Sequence, residues 1–115
     1  MYTPPSVTEQ TIFILASLTR GELHGYGIAR DVEELSKGRV RLSAGTLYGA
    51  LNRLTEEGLV AETRERLVDG RRRRYYRLTS AGQAVLTEEA ARLRSTAAAV
   101  GARVAAGADL SPGLA

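Results

Sequence analysis

The segment SAGTLYGALNRLTEEGLV, residues 43–60, is followed eight residues later by DGRRRRYYRLT, residues 69–79. Ser43 is a preferred N-cap residue, and Gly58 stands where helices commonly stop, so the first segment predicts a helix that ends near Glu57. The buried stripe of this helix consists of leucines spaced four and then three residues apart, Leu47, Leu51 and Leu54. The second segment predicts the arginine-rich part of a β-hairpin.

The opposite face of the predicted helix is polar and carries little charge. Its residues are Ser43, Thr46, Tyr48, Gly49, Asn52 and Arg53. A helix face that only meets water would more naturally carry glutamates and lysines. Close approach to base edges instead needs small residues and hydrogen-bonding side chains, so this face favours a helix that enters a DNA groove.

The hairpin is predicted to consist of strands Leu59–Val68 and Arg71–Leu78, joined by Asp69-Gly70, a pair that suits the positive φ angles of a tight turn. Alternation assigns the two faces of the second strand, with Tyr76 and Leu78 toward the core and Arg73, Tyr75 and Arg77 on the other side. The first strand alternates less cleanly, so we do not assign its side chains to either face.

Positive charge is concentrated on this hairpin. Between Leu59 and Leu78, seven arginines stand against three acidic residues, a net charge of +4, whereas the whole chain carries +3. A run such as Arg71, Arg72, Arg73 and Arg74 is often only a solvated turn. Its concentration on one element is nevertheless typical of a phosphate-binding surface.

The helices before this segment follow from apolar periodicity. Ser6 and Glu9 form a predicted capping box for a first helix over Val7–Leu18. A second helix is expected from Gly25 to Ser36, with Ile28, Ala29, Val32 and Leu35 buried. Residues 40–42 predict a short edge strand that joins the hairpin.

A last helix is predicted to begin at Thr79 and Ser80. Its apolar residues alternate at spacings of four and three, at Leu86, Ala90, Leu93, Ala97, Val100 and Val104. This spacing is that of a coiled-coil seam, and a domain this small cannot cover so long a stripe. We therefore expect the seam to pair with a second copy of the chain; partial packing on the first helix is a compatible alternative.

Composition narrows the classes of function. The chain has 115 residues, 43% hydrophobic and 25% charged, which indicates one small folded domain. It lacks an apolar run of the roughly 20 residues that span a bilayer, and its start does not resemble a signal peptide, so a cytoplasmic protein is expected. Without cysteine, and with His24 as its one histidine, we predict no metal site, no cofactor and no catalytic residue; His24 is expected to cap a helix or lie at the surface.

The predicted order is helix, helix, short strand, helix, hairpin and long helix. This is the order of a winged helix-turn-helix, a mostly α fold with a small β-hairpin, here followed by a coiled-coil-like dimerisation helix. We assign residues 1–78 to the DNA-binding domain, 79–106 to the dimerisation helix and 107–115 to a flexible tail.

Over roughly residues 9–95 the sequence also resembles the short subclass of the PadR family of bacterial transcriptional regulators. The resemblance rests on LHGYGIARDVEELS (residues 23–36), RLSAGTLYGALNRLTEEGLV (41–60) and DGRRRRYYRLTSAGQAVL (69–86). Relatives usually carry proline where this chain has Ala44 and Gly49. The resemblance therefore predicts the DNA sequence of the operator less directly than it predicts the fold.

The resemblance implies a homodimeric repressor that a small, often aromatic effector releases from DNA. It also implies that the third helix reads the major groove and that the hairpin, the wing, reaches the minor groove or the backbone. No effector-binding residue is identified. With two DNA-binding units, the partner is expected to be an approximately palindromic double-stranded DNA.

Individual roles follow from side-chain chemistry. Ser43 and Thr46 are predicted to contact phosphate or a base edge, while Tyr48, Asn52 and Arg53 read bases. The four wing arginines are expected to hold phosphates. Tyr26 is left with two interpretations, a phosphate contact or core packing.

Two other classes of function remain as alternatives. A winged helix can serve as a protein-interaction module, although the net charge of the hairpin argues against it. An enzyme is less supported, because the sequence supplies no nucleophile with a base, no carboxylate pair and no nucleotide loop.

Overall fold

The computed structural model describes the backbone of residues 7–114 and the side chains of residues 7–108. The elements are α1 (Glu9–Ser17), β1 (Leu23–His24), α2 (Gly25–Leu35), α3 (Ala44–Glu56), β2 (Val60–Val68), β3 (Arg71–Leu78) and α4 (Ser80–Leu114). The three strands form one antiparallel sheet in the order β1-β3-β2. The predicted winged-helix architecture is confirmed, with a third strand added to the hairpin.

Side chains cap the first three helices. The Thr8 hydroxyl accepts a hydrogen bond from Thr11 N at 3.2 Å, and the Ser43 hydroxyl accepts one from Thr46 N at the same distance. The predicted cap of α3 is therefore confirmed. The predicted capping box of α1 is wrong, because the helix begins at Glu9 and its N-cap is Thr8. Ser6 lies outside the described residues.

The core lies where α1, α2 and α3 pack against the body of the sheet. Its fully buried members include Ile14, Leu15, Ile28, Val32, Leu51, Leu54, Val60 and Tyr76. Leu35, predicted to be buried, is exposed. The buried stripe of α2 runs from Ile28 through Val32 to Ser36, in steps of four residues, and this places Leu35 at its edge.

The edge strand is not at residues 40–42, where the sequence predicted it. The amide of Val40 donates to the Ser36 hydroxyl at 2.9 Å, which turns this segment back on the end of α2. Leu23 and His24 instead pair with Tyr76 and Tyr75 of β3. The strand that completes the sheet therefore comes from the segment between α1 and α2.

The hairpin turns at Asp69 and Gly70, with φ angles of 51° and 76°, as the sequence predicted. A β-bulge interrupts its ladder: Glu62 pairs with Tyr76 and Arg64 with Tyr75, which leaves Thr63 without a partner. The extra residue brings Val60 opposite Leu78 and onto the core face. This shift explains why β2 alternates poorly when its sequence is read without the bulge.

α4 continues past position 106, where the sequence predicted the dimerisation helix to end; its backbone is helical to Leu114. Gly101 and Gly107 both lie within the helix. A single glycine weakens a helix by about 1 kcal/mol relative to alanine but does not by itself terminate it. Among the described residues, no helix is both long and apolar enough to cross a membrane.

The start of α4 packs closely on the end of α3. The Thr79 hydroxyl donates to the Gly58 carbonyl oxygen at 2.6 Å and accepts from Gly82 N at 3.0 Å. A Cβ atom on Gly82 would collide with the Leu59 carbonyl oxygen and lie 2.7 Å from Leu78 Cδ1. Gly82 is thus required by a backbone approach that sequence reasoning did not identify.

We expect Gly82→Ala to destabilise the protein by about 1–3 kcal/mol, because a backbone carbonyl must move to admit the methyl group. The measurement is the free energy of unfolding by denaturant. Gly101→Ala is the matched control on the same helix: its Cβ meets nothing within 4 Å, so it should stabilise by up to about 1 kcal/mol. A Gly82→Ala variant as stable as the starting protein would contradict the close approach.

Candidate nucleic-acid interface

The predicted reading face of α3 is exposed. The exposed residues are Ser43, Thr46, Tyr48, Gly49, Asn52 and Arg53. At 100° per residue, Gly45, Gly49, Asn52 and Glu56 lie farthest from the buried stripe. Nothing lies within 4 Å of a Cβ placed on either glycine. The outermost line of the helix therefore offers bare backbone in its first turns, followed by the Asn52 amide and, in the last turn, the Glu56 carboxylate. Gly45 belongs to this line, although it was not among the residues predicted from the sequence.

Ser43 and Thr46 are held together at the start of α3. The Ser43 hydroxyl donates to Thr46 Oγ1 at 3.0 Å while it accepts from Thr46 N. The hydroxyl proton of Thr46 is then left to donate elsewhere. A donor beside the first amides of a helix suits an anion such as a phosphate oxygen.

Arg53 is tied to its own chain. Its guanidinium donates to Thr11 Oγ1 at 3.1 Å and lies 3.7 Å from the Glu57 carboxylate. Guanine readout by Arg53 would require both contacts to be released. Base readout by Arg53 stays a prediction, and Asn52 is the less restrained of the two residues.

Tyr48 packs at the junction of α2 and α3. Its hydroxyl lies against Gly25, where a Cβ would lie 2.8 Å from Tyr48 Cζ. The residue is nevertheless 38% exposed. The ring therefore helps to set the angle between the two helices, and only part of it remains available for base contact.

Tyr26 is 67% exposed, so the core-packing interpretation is wrong. Its ring stacks on that of His24, with centroids 6.3 Å apart. His24 is the N-cap of α2, as predicted: its Nδ1 accepts from Gly27 N at 3.0 Å. Burial lowers the pKa of His24, and the neighbouring Arg73 guanidinium lowers this pKa further.

The four consecutive wing arginines do not share one face. Residues paired across the hairpin lie on the same side of the sheet. We call one side the arginine face; its charged residues are Arg64, Arg66, Arg71, Arg73 and Arg77. We call the other the mixed face; its charged residues are Glu62, Glu65, Arg72 and Arg74.

The two faces differ in net charge. On the mixed face, Arg72 lies 3.9 Å from Glu65 and Arg74 lies 3.9 Å from Glu62, so the charges balance. The hairpin places no carboxylate on the arginine face. Arg64 and Arg66 therefore belong to the positive surface, although they were not among the DNA-binding residues predicted from the sequence. Both residues could have been placed on this face from the sequence, because the Asp69-Gly70 turn fixes their cross-strand partners.

Glu22 reaches the arginine face from the segment before β1. Its carboxylate accepts from the Thr63 hydroxyl at 2.6 Å and forms an ion pair with Arg64 at 2.5 Å. The hydrogen bond from Thr63 is the largest cause that holds the pKa of Glu22 below its ordinary value; desolvation opposes it, and the neighbouring Arg64 lowers this pKa further. Sequence reasoning missed this residue.

A series of contacts through aromatic rings connects the Glu22–Arg64 ion pair to the start of α2. The Arg64 guanidinium lies over the Tyr75 ring, 4.6 Å from its centroid. The Tyr75 ring meets His24 edge-on at 5.4 Å, and Arg73 Nη1 lies 3.0 Å from His24 Nε2. The arginine face is therefore in contact with the N-terminus of α2.

The apolar seam of α4 changes character along its length. Leu86 packs against the core and Ala90 is half-buried. Farther along, Leu93, Val100 and Val104 are 45%, 56% and 65% exposed, and Ala97 is exposed as well. The first part of the seam therefore packs on its own chain, as the alternative predicted. The rest of the seam is exposed in the single chain.

Within the described part of the chain, no group of three or more potential ligands is arranged to hold a metal ion. The chemistry concentrated at this surface is cationic and hydrogen-bonding. Such a surface suits a polyanion with readable polar edges.

Comparison with known proteins identifies relatives with this architecture. The chain is 45% identical over 78 residues to the transcriptional regulator Rv3488 of Mycobacterium tuberculosis, covering 68% of this chain and 69% of the relative. A PadR family transcription regulator from Clostridium difficile superposes with a TM-score of 0.71 at 25% identity, over 84% of this chain and 99% of the other. Bacillus subtilis PadR, solved in complex with operator DNA, gives a TM-score of 0.60 at 28% identity, over 68% of this chain and 44% of that one. Residues 14–88 match the family described as the transcriptional regulator PadR-like family, and the chain belongs to that family.

Proposed function

We propose that this chain is a homodimeric, sequence-specific repressor that binds an approximately palindromic duplex DNA. One observation carries the proposal: the glycine-lined polar face of α3 is combined, in the same small domain, with a hairpin whose arginine face keeps an excess of positive charge beside the Glu22–Arg64 ion pair. The first can approach base edges, and the second attracts phosphates.

In this proposal the two elements have different tasks. α3 enters the major groove, where Asn52 reads adenine and Thr46 donates to a phosphate near the helix start. Tyr48 contributes the exposed part of its ring, and Arg53 reads a base after its contacts with Thr11 and Glu57 are released. The wing arginines and Tyr26 contact phosphates on the neighbouring backbone, or one arginine enters a narrow minor groove.

The dimer in this proposal forms through the exposed part of the α4 seam. A two-fold axis would place two copies of α3 in successive major grooves, so the half-sites would lie about one or two turns of DNA apart. Repression, release by a small aromatic effector and a cytoplasmic location rest on the family and not on named residues of this chain.

The test of sequence-specific binding is selection of duplexes from a randomised pool by the purified protein, followed by titration of the selected duplex. We expect Asn52→Ala to weaken binding by about 5- to 150-fold for each half-site of the selected duplex, the range for one bidentate base contact of 1–3 kcal/mol. Binding of a mixed-sequence duplex and the salt dependence should stay unchanged.

Two outcomes would contradict this assignment. An equal loss on both duplexes would mean that Asn52 does not read a base. If the unchanged protein selected no duplex and retarded no genomic fragment at moderate salt, the DNA-binding proposal would fail and the protein-interaction alternative would replace it.

A further inference from the structure

We propose that Glu22 is a positioning residue that fixes the direction of the wing, by holding Thr63 and Arg64 at the β-bulge. The inference rests on the proposed function, because it explains how the arginine face is presented to DNA. It concerns a residue outside the hairpin and outside α3.

The outer part of the hairpin lacks anchoring by the core. From Thr63 to Arg72, every side chain is exposed except the half-buried Val68. The ladder between β2 and β3 fixes the shape of the hairpin itself. Its angle to the rest of the domain is set where it leaves the core, and the bulge at Thr63 is the place where the strand bends.

Glu22 acts at that bend. The unpaired residue of the bulge donates its hydroxyl to the Glu22 carboxylate at 2.6 Å, and the next residue, Arg64, forms the ion pair. Among the described residues, the ion pairs of Arg72 and Arg74 lie within the hairpin, whereas that of Arg64 joins it to the segment before β1. One carboxylate therefore holds two consecutive residues of the bend.

The effect of removing Glu22 on DNA affinity distinguishes a positioning role from a purely electrostatic one, because the two roles predict changes of opposite sign. Glu22 places a negative charge beside the arginine face, which by itself weakens the attraction to phosphates. Its removal should strengthen DNA binding if charge alone matters. If the carboxylate directs the wing, its removal should weaken binding, because the arginines lose their alignment with the backbone.

We expect Glu22→Ala to weaken binding to the selected duplex about two- to fivefold, the range for one exposed ion pair. Glu22→Gln, which can still accept from Thr63, should lose less, and Thr63→Val should change affinity in the same direction. Glu65→Ala is the matched control, since it removes a carboxylate that pairs with Arg72 within the hairpin. This control should leave affinity unchanged or raise it.

A second measurement needs no DNA. Amide hydrogen exchange of residues 64–73 should be faster in Glu22→Ala than in the unchanged protein, with the core residues unaffected. Glu65→Ala should leave this pattern largely unchanged.

The outcomes separate this inference from the proposed function. A Glu22→Ala variant that binds as tightly as the unchanged protein, or more tightly, overturns the positioning role, and so does unchanged exchange in the hairpin. If the unchanged protein binds no duplex, the proposed function fails, whereas the exchange measurement still decides whether Glu22 fixes the hairpin.

Discussion

Replacing Arg71, Arg72, Arg73 and Arg74 together by alanine is expected to flatten the slope of log affinity against log salt concentration by about three units per wing. Each arginine that neutralises a phosphate releases about one counterion, and a residue already paired with a carboxylate releases less. Selected and mixed-sequence duplexes should lose affinity together, because phosphate contacts carry no sequence information. Fluorescence anisotropy titrations between about 50 and 200 mM salt provide the measurement.

The two faces of the wing supply an internal control for this experiment. Arg72 and Arg74 lie close to Glu65 and Glu62, whereas Arg71 lies on the arginine face. The double variant Arg71→Ala/Arg73→Ala should therefore lose more affinity and more salt dependence than Arg72→Ala/Arg74→Ala. Equal losses would show that the pairing on the mixed face is irrelevant to DNA binding, and an unchanged slope in the quadruple variant would refute the wing assignment.

The second large effect is expected from the α4 seam. Leu93→Asp combined with Val100→Asp should convert a dimer into monomers, because the two carboxylates would be buried in an apolar helix interface without partners. Loss of the second DNA-binding unit should weaken operator binding by about 10²- to 10⁴-fold. Sedimentation gives the oligomeric state, and titration of the selected duplex gives the affinity.

The matched control places the same substitutions off the seam. Ala91 and Ala98 are exposed and also stand seven residues apart on α4. Ala91→Asp/Ala98→Asp should lower helix propensity at two equivalent sites and leave the dimer intact. A Leu93→Asp/Val100→Asp variant that remains dimeric with full affinity would remove the seam from the interface.

Most helices and the hairpin could be predicted because their signals are local. Ser43 caps α3, Gly58 follows its end, and Asp69-Gly70 makes the tight turn, each within a few residues of the element it defines. Tyr76 was placed in the core from alternation alone and is 2% exposed. The family resemblance drawn from the same segments is confirmed by the match over residues 14–88.

The error about the edge strand arose because two distant segments compete for the same partner. Residues 40–42 have strand-like composition, but the free edge of β3 is occupied by Leu23 and His24. The choice between two short segments depends on how α1 and α2 pack, and no local signal records it. The sequence left two interpretations of Tyr26 for a similar reason, since its exposure depends on what covers the start of α2.

By itself, the sequence determined the order of the helices, the hairpin and its turn, the apolar seam, and the excess of positive charge in one region. These properties depend on periodicity and on short-range backbone preferences, which are readable within one segment. Only the tertiary structure decided that a bulge at Thr63 shifts the register of β2, that Gly82 meets the Leu59 carbonyl, and that Glu22 holds the bend of the wing. Those features depend on contacts between residues some 20 to 40 positions apart or on one extra residue in a ladder, and both are fixed only when the elements pack.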